Sequence, residues 1–411
     1  MTPFPLNLEA LIGQWPAYLV YLGIGLAFGY VLEQAGFGIS TKLAAQFYFK
    51  EMTVLKVMFT GIVVAMLFVF LTAGLGLLDY NLIWVNPTYL WPGIVGGLIM
   101  GVGFIIGGFC PGTSLVSLAT GKIDGLFFAL GTFFGIFLFG ETVPLFEDFF
   151  HSSYLGRFTL MELFNTSTGV IVLGVTLMAL AAFAFAEFGE RIIGRMPASA
   201  FPRWRFAAAG GALGLAALVA VVGQPTTETR WRWLEPALQP KLDARVYQIE
   251  PLELLELMHD HAVNLVLLDV RSEADYNRFH LLDARHLPLA DVGSAVDALL
   301  AEPANTVYVV MSNDETAATA AWKTLAAESV PNIYILSGGV NGWLAYFGGE
   351  DVAASALSAG AADDTLRYTF AAALGARHPA ADPNRDLYAG REYDKKVQPV
   401  AVRGAKSGGC G

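Results

Sequence analysis

Six apolar runs, each close to the length of a bilayer-crossing helix, crowd into residues 1–223 of this 411-residue chain. A spanning helix needs about 20 mostly apolar residues. The runs lie at about 16–33, 54–78, 91–107, 125–146, 168–187 and 205–223. Backbone in hydrocarbon has no water to bond, so runs of this kind can span only as helices. The first part of the chain is therefore expected to be a polytopic α-helical membrane domain. Composition agrees: 15% of residues are charged, where soluble domains approach about a quarter. From residue 224 onwards the sequence reads as ordinary soluble protein, with a linker at 224–243, a small α/β domain at 244–350 and a flexible tail at 351–411. The net charge of −11 comes mostly from this second part and argues against nucleic acid as a partner. Two cysteines, Cys110 and Cys410, make no disulfide framework or metal cluster, and no cofactor is expected. The N-terminus lacks a basic n-region, so the first run is expected to stay as a span.

The membrane part repeats itself. Shifted by 72 residues, Gly25-Leu26 falls on Gly97-Leu98, Gly36-Phe37 on Gly108-Phe109, and Thr41 on Thr113. A span, a Gly-Phe break, a short apolar piece and a second span thus occur twice. Broken helices in internal repeats are a common transporter device. Basic residues set orientation. Lys42, Lys50, Lys56, Lys122, Arg191, Arg195, Arg203 and Arg205 fall on one side of the six spans and Arg157 on the other. That bias places both ends of the chain, and hence the soluble domain, in the periplasm. Glu33, Glu141 and Glu187 fall within the spans, where carboxylates are functional candidates for ion coupling or gating, although each could be interfacial.

Between the third and fourth runs stands GGFCPGTS, Gly107 to Ser114. Irregular backbone at membrane depth survives only where protein or a water-filled cavity satisfies it. Pro111 suits the first position of a helix over about 111–119, which makes Cys110 its N-cap. Such a helix start aims free N–H groups and a positive dipole end at whatever sits there, which is an anion site that also favours thiolate. Gly108 and Gly112 allow close approach, and Thr113 and Ser114 add hydroxyls. A small anion that also interacts through sulfur fits this chemistry. A buried thiol packing a helix crossing is the alternative.

The segments GYVLEQAGFG, QFYFKEMTVLKVMFTGIV and GGFCPGTSLVSLATGKIDGLFFALGTFFGIFLFGE resemble the YeeE/YedE family of sulfur-compound transporters over roughly residues 16–145. The resemblance implies import of thiosulfate or a related species across a bacterial inner membrane, with Cys110 as a cysteine on the substrate path. Full-length relatives carry several path cysteines, whereas here Gly38 holds the position equivalent to Cys110 in the first repeat. A homodimer, or a second half-size subunit, would complete the path.

In the soluble part, Arg230-Trp231-Arg232-Trp233 reads as an interfacial anchor where the chain leaves the membrane. Strands are expected at 265–270, 306–311 and 333–336, with helices at 273–278 and 316–327, giving a small α/β domain with parallel strands. Asp269-Val-Arg271, His280 to Pro288 and Leu336-Ser-Gly-Gly-Val-Asn-Gly-Trp343 resemble a rhodanese domain over roughly 244–350. The resemblance implies a cysteine directly after a core strand, in a loop whose N–H groups hold a persulfide. Here Ser312 stands in that place, and Asp314 and Glu315 put two carboxylates where the anion would bind. The domain is therefore expected to be a degenerate, non-catalytic rhodanese that recognises a partner such as a periplasmic sulfur carrier. The tail ends AKSGGCG, similar to the Gly-Gly-Cys-Gly-Gly terminus of a sulfur-carrier subunit. Cys410 is accordingly expected to carry sulfur at the end of a flexible tether of about 60 residues reaching about 40–45 Å. A membrane sensor of sulfur status, or a sulfurtransferase using Cys410, are the alternative functions.

Overall fold

The structure is a computed structural model that describes residues 4–83, 85–194, 204–303, 305–356 and 364–398. The chain divides into two compact units that part at Gln224 and Pro225.

The first unit is helical: α1 (Leu8–Ile12), α2 (Gln14–Gln34), α3 (Ser40–Ala45), α4 (Thr53–Gly74), α5 (Leu90–Gly107), α6 (Pro111–Ala119), α7 (Ile123–Thr142), α8 (Glu147–Phe150), α9 (Leu160–Phe164), α10 (Thr168–Ile192) and α11 (Trp204–Val222). Six of these helices, with α5 and α6 taken as one apolar stretch, are long and apolar enough to cross a membrane. The second span ends at Gly74 rather than 78, because Gly76 turns to φ +71° and Leu78 bridges back to Phe4. The fourth helix gives way after Thr142 to a 3-10 turn over Val143–Leu145 that contains Pro144, so the apolar stretch closes at Leu145. The fifth runs on to Ile192, carrying Glu190 with it.

The expected repeat is present in the backbone. The order α2, break, α3, α4 recurs as α5, break, α6, α7. Each break turns on a left-handed glycine, Gly36 at φ +83° and Gly108 at φ +70°, a conformation that costs glycine nothing. Phe37 and Phe109, equivalent by the shift, are both buried in one cluster with Leu43 and Val54, so the two breaks meet. Elsewhere α4, α10 and α11 pack through Val63, Leu67, Val172, Ala179, Ala216 and Val219. A Cβ on Gly169 would stand 2.6 Å from the Ala220 Cα, so glycine sets that close approach. Basic residues gather at one end, where Lys122 meets Glu33, Lys56 meets Glu190 and Arg205 meets Glu187. Arg157 lies at the other, its guanidinium 4.8 Å from the Tyr80 ring centre.

The second unit begins with α12 (Thr227–Asp243) and continues β1 (Gln248–Ile249), α13 (Pro251–Met258), β2 (Asn264–Asp269), α14 (Glu273–Arg278), β3 (Arg285–His286), α15 (Val292–Ala301), β4 (Thr306–Met311), α16 (Thr316–Ala327), β5 (Ile333–Leu336), α17 (Gly339–Phe347) and α18 (Gly349–Ala354). The sheet is parallel, in the order β1-β5-β4-β2-β3. Every residue of β4 is buried, as a central parallel strand covered on both faces requires.

Two expectations about this unit are corrected. Residues 224–243 are not a bare linker with an interfacial anchor. Most of them form α12, whose Trp231, Leu238 and Leu242 pack on the sheet, with Trp231 edge-on to Trp322 and Arg230 paired with Glu328. Only the opposite face, with Arg232 and Trp233, stays exposed. Nor is the tail loose from residue 351. Residues 364–398 lie across the other face of the sheet and bury Leu366, Ala380, Ala381 and Val397 in its core. A flexible tether of about 60 residues therefore does not exist. Cys410 lies outside the described residues.

Candidate functional site

The first site is the break before α6. Cys110 is its N-cap in extended conformation, with Pro111 at the first helical position as expected. The Cys110 sulfur accepts from the Thr113 N–H at 3.4 Å and lies 3.3 Å from the Thr113 hydroxyl. In return the Thr113 Oγ1 accepts from the Cys110 N–H at 2.9 Å. A thiol thus does the work of a capping oxygen. The Ser114 hydroxyl turns back onto the Pro111 carbonyl at 2.7 Å. Thr113 and Ser114 are buried, whereas Cys110, Pro111 and Gly112 keep access to the surroundings. Gly108 packs on the first repeat: a Cβ there would stand 3.0 Å from the Ser40 carbonyl oxygen. The thiol is therefore held at a helix start where the two repeats meet.

The equivalent place in the first repeat is filled by charge. A Cβ on Gly38 would stand 2.6 Å from the Glu33 Oε2 and 3.0 Å from the Lys122 Nζ. The Glu33–Lys122 pair joins the end of α2 to the turn between α6 and α7, and Ser40 donates to Asp124 at 3.0 Å beside it.

The second site is the loop after β4. The Ser312 hydroxyl is fully buried, donating to the Asp314 carbonyl and accepting from the Ala318 N–H, both at 3.2 Å. Asp314 accepts from the Thr316 N–H at 2.6 Å, and Glu315 turns away to Arg245 and the Gly338 N–H. The expectation that these two carboxylates occupy the anion position is corrected. Instead Asp364, from the strap 364–398, puts its carboxylate on the loop, accepting from the Asp314 and Ala317 N–H groups at 2.9 Å each. The two motifs around the loop hold its frame. Arg271, bonded to Asp269, reaches the Asn313 side chain at 3.2 Å and the Phe279 carbonyl at 2.6 Å. Val340 and Asn341 donate their N–H groups to the Ser312 and Asn313 carbonyls.

Two protein families match the chain: Sulphur transport over residues 34–238 and Rhodanese-like domain over residues 250–346. The chain is a fusion of a sulphur-transport domain and a rhodanese-like domain. No curated protein and no solved structure matches it. The sulphur-transport match begins at the end of α2 and runs into α12, so it contains both helix breaks and Cys110. With its six apolar helices, the sulphur-transport domain makes this a multi-pass membrane protein of sulfur-related transport.

The intramembrane carboxylates fall out differently from the sequence expectation. Glu33 is the one that lies at the meeting of the repeats. Glu187 pairs with Arg205 at 2.7 Å, and Glu141 is exposed on the surface of the unit. Glu190, which sequence reasoning passed over, is the most buried: it accepts from the Met52 N–H at 2.6 Å and pairs with Lys56. Its signal lay in the small-residue face of α10, where Ala179, Ala186 and Gly189 precede it at helical spacing. Asp364 gave no signal, because its partners lie about 50 residues away in sequence.

Proposed function

We propose that this protein carries thiosulfate or a related sulfur-bearing anion across the bacterial inner membrane, with Cys110 as the contact for sulfur. The observation that carries the reading is the thiol itself, N-cap of a Pro-started helix at the meeting of two broken-helix repeats in a sulphur-transport domain. The helix start supplies N–H groups and a positive field for the anionic end. The sulfur supplies a soft, polarisable partner for the sulfane end. Gly108, Pro111, Gly112, Thr113 and Ser114 shape the site around it.

The rhodanese-like domain acts in this reading as a non-catalytic module for capture or delivery. What supports this is Ser312: a hydroxyl cannot hold a persulfide at neutral pH, and this one is buried and bonded on both sides. Cys410 then serves as the carrier thiol, and the soluble unit faces the periplasm. The test is uptake of radiolabelled thiosulfate into cells. Cys110→Ser, a small change in volume, keeps the protein in the membrane and loses uptake by at least about 100-fold, comparable with the loss of a group acting only in the productive complex. Parent-level uptake by the Ser variant would reduce Cys110 to a packing residue.

A further inference from the structure

We propose that Lys122 is a second anion contact of the membrane unit, on the basic side of Cys110, and that Glu33 is the counter-charge it exchanges for the anion. The proposal deepens the transport reading and rests on it for the cargo.

Position comes first. Gly108, two residues before Cys110, packs on the first repeat, where its Cβ would stand 3.0 Å from the Ser40 carbonyl oxygen. Two residues before Ser40, a Cβ on Gly38 would stand 3.0 Å from the Lys122 Nζ. One chain of contacts thus joins the thiol to the ammonium, and neither glycine puts a side chain in the way. Lys122 is also the N-cap residue of α7, a 20-residue helix whose positive end adds to its charge. Asp124, in the first turn of the same helix, is engaged by the Ser40 hydroxyl at 3.0 Å. An ammonium is a compact point charge with three donors, suited to a small dianion that passes rather than stays.

The pair is loose where a structural pair would be tight. Glu33 meets Lys122 through Oε1 at 3.5 Å, beyond the roughly 2.7–2.9 Å of a strong charge-assisted bond. Its Oε2 is buried and takes no hydrogen bond among the described residues. Glu190, at the same end of the unit, shows the contrast: one oxygen takes the Met52 N–H at 2.6 Å and the other pairs with Lys56. Among the described residues Glu33 is the one acidic group that Lys122 meets. An anion that takes Lys122 therefore displaces a single weak contact.

A place for the displaced charge is close by. The Gly36 N–H donates to the Glu33 carbonyl at 2.9 Å, one turn from the carboxylate's own residue. Lys42 packs its ammonium on that Gly36 turn, 2.9 Å from where a Cβ would be, and holds Glu51 at 3.4 Å. Glu33 thus sets a threshold. The anion can use Lys122 only in the fraction of molecules whose pair is open, and its apparent affinity falls by that fraction. Neutralising Glu33 removes the threshold and leaves the ammonium in place, whereas neutralising Lys122 removes the contact itself.

The experiment is hydrogen–deuterium exchange of the full chain in nanodiscs, titrated with sodium thiosulfate and separately with sodium sulfate at constant ionic strength in sodium chloride. Protection is read on peptides covering 33–43 and 108–124, in the parent, Glu33→Gln, Lys122→Gln and Lys122→Arg. The expected midpoint is about 10-fold lower in Glu33→Gln, as for a pair open about a tenth of the time. It is at least about 10-fold higher in Lys122→Gln, and Lys122→Arg stays near the parent. The opposite signs are the signature, because a pair that only holds the repeats together loosens whichever partner is removed. Shifts in the same direction, no shift, or no protection in the parent overturn the proposal. Should Lys122→Gln fail to fold, a Glu33→Gln midpoint no lower than the parent's is enough to overturn it. Uptake of radiolabelled thiosulfate separates this proposal from the reading it rests on. Uptake lost in Cys110→Ser but with unchanged half-saturation in the Glu33 and Lys122 variants sinks this proposal and leaves the transport reading standing. A parent without uptake whose midpoints still move in opposite directions sinks the thiosulfate cargo and keeps the anion contact.

Discussion

Glu33 and Lys122 pair at 3.5 Å across the two repeats, and they fill the space that a side chain on Gly38 would need. The pair stands where a cysteine equivalent to Cys110 would sit by the 72-residue shift. The single thiol of the membrane unit and this ion pair are thus two halves of one asymmetry. Gly38→Cys restores the symmetric thiol but must push a carboxylate and an ammonium aside, an overpacking cost of about 1–3 kcal/mol. The expected outcome is a several-fold lower yield of monodisperse protein in detergent, recovered when Glu33→Ala is added. Parent yield from Gly38→Cys alone would show that the pair does not occupy that space.

Glu190 and Lys56 give a second test. Glu190 is nearly fully buried and also receives the Met52 N–H. Removing one partner of a buried pair leaves a charge without compensation, at about 3–5 kcal/mol, whereas replacing both can be neutral. Glu190→Gln keeps an acceptor for Met52 yet breaks the buried ion pair with Lys56, so its thermal midpoint in detergent should fall markedly. Glu190→Gln with Lys56→Met should return most of the way. A single variant as stable as the parent would remove this pair from the account of how α4 and α10 are locked.

The six spans and the Cys110 cap were legible because each has a local cause. Span length follows from the apolar run, the breaks from glycines free to take positive φ, and the cap from Pro111 in the first turn. The 306–311 strand and the 316–327 helix were legible for the same reason. What sequence hid was decided between distant segments. Arg230-Trp231-Arg232-Trp233 looks interfacial by composition, yet the helical spacing of Trp231, Leu238 and Leu242 is what docks α12 on the sheet. The tail reads as polar and loose, yet sparse apolar residues such as Leu366 and Val397 find the core. No local pattern in 351–411 announces that Asp364 will cap a loop about 50 residues earlier.

The clasp at Glu253 should depend on pH. Burial pushes its carboxyl above the ordinary value of 4.5, even though the Val397 and Lys396 N–H groups and the Lys396 charge pull it down. A raised carboxyl in the folded state means that ionisation is disfavoured by folding. The clasp is then most stable below pH about 4.5 and weakens as pH rises through the raised value. Glu253→Gln mimics the protonated group: its oxygen still accepts both N–H groups, and the unpartnered Oε2 is replaced. After correction for intrinsic rates, exchange at 396–397 should be slower in Glu253→Gln than in the parent at pH 7, and alike at pH 4. Asp314 runs the other way. Burial raises it, but hydrogen bonds from Thr316 and Asp364 outweigh this and hold it below 3.8, so the loop–strap contact persists until pH falls through that lowered value. A Glu253→Gln clasp that exchanges faster at pH 7 would reverse the sign argued here.

Orientation is tested with the chain's own thiols. Even span number and the gathering of basic residues at one end of the unit predict a periplasmic soluble domain. A reporter fused after Glu350 would cut away residues 364–398, which bury apolar side chains in the domain core, and would report on a damaged protein. Cysteine labelling avoids that. The chain has two cysteines, so Cys110→Ser leaves Cys410 as its single thiol. After brief reduction, a membrane-impermeant maleimide added to intact cells from which the outer membrane has been removed should label this variant as fully as it labels lysed cells. The Cys110→Ser, Cys410→Ala double variant should take no label. If labelling appears only after lysis, the C-terminal side is cytoplasmic. The basic end of the spans would then face outward, against the charge rule, and capture of sulfur from the periplasm by this domain would be ruled out.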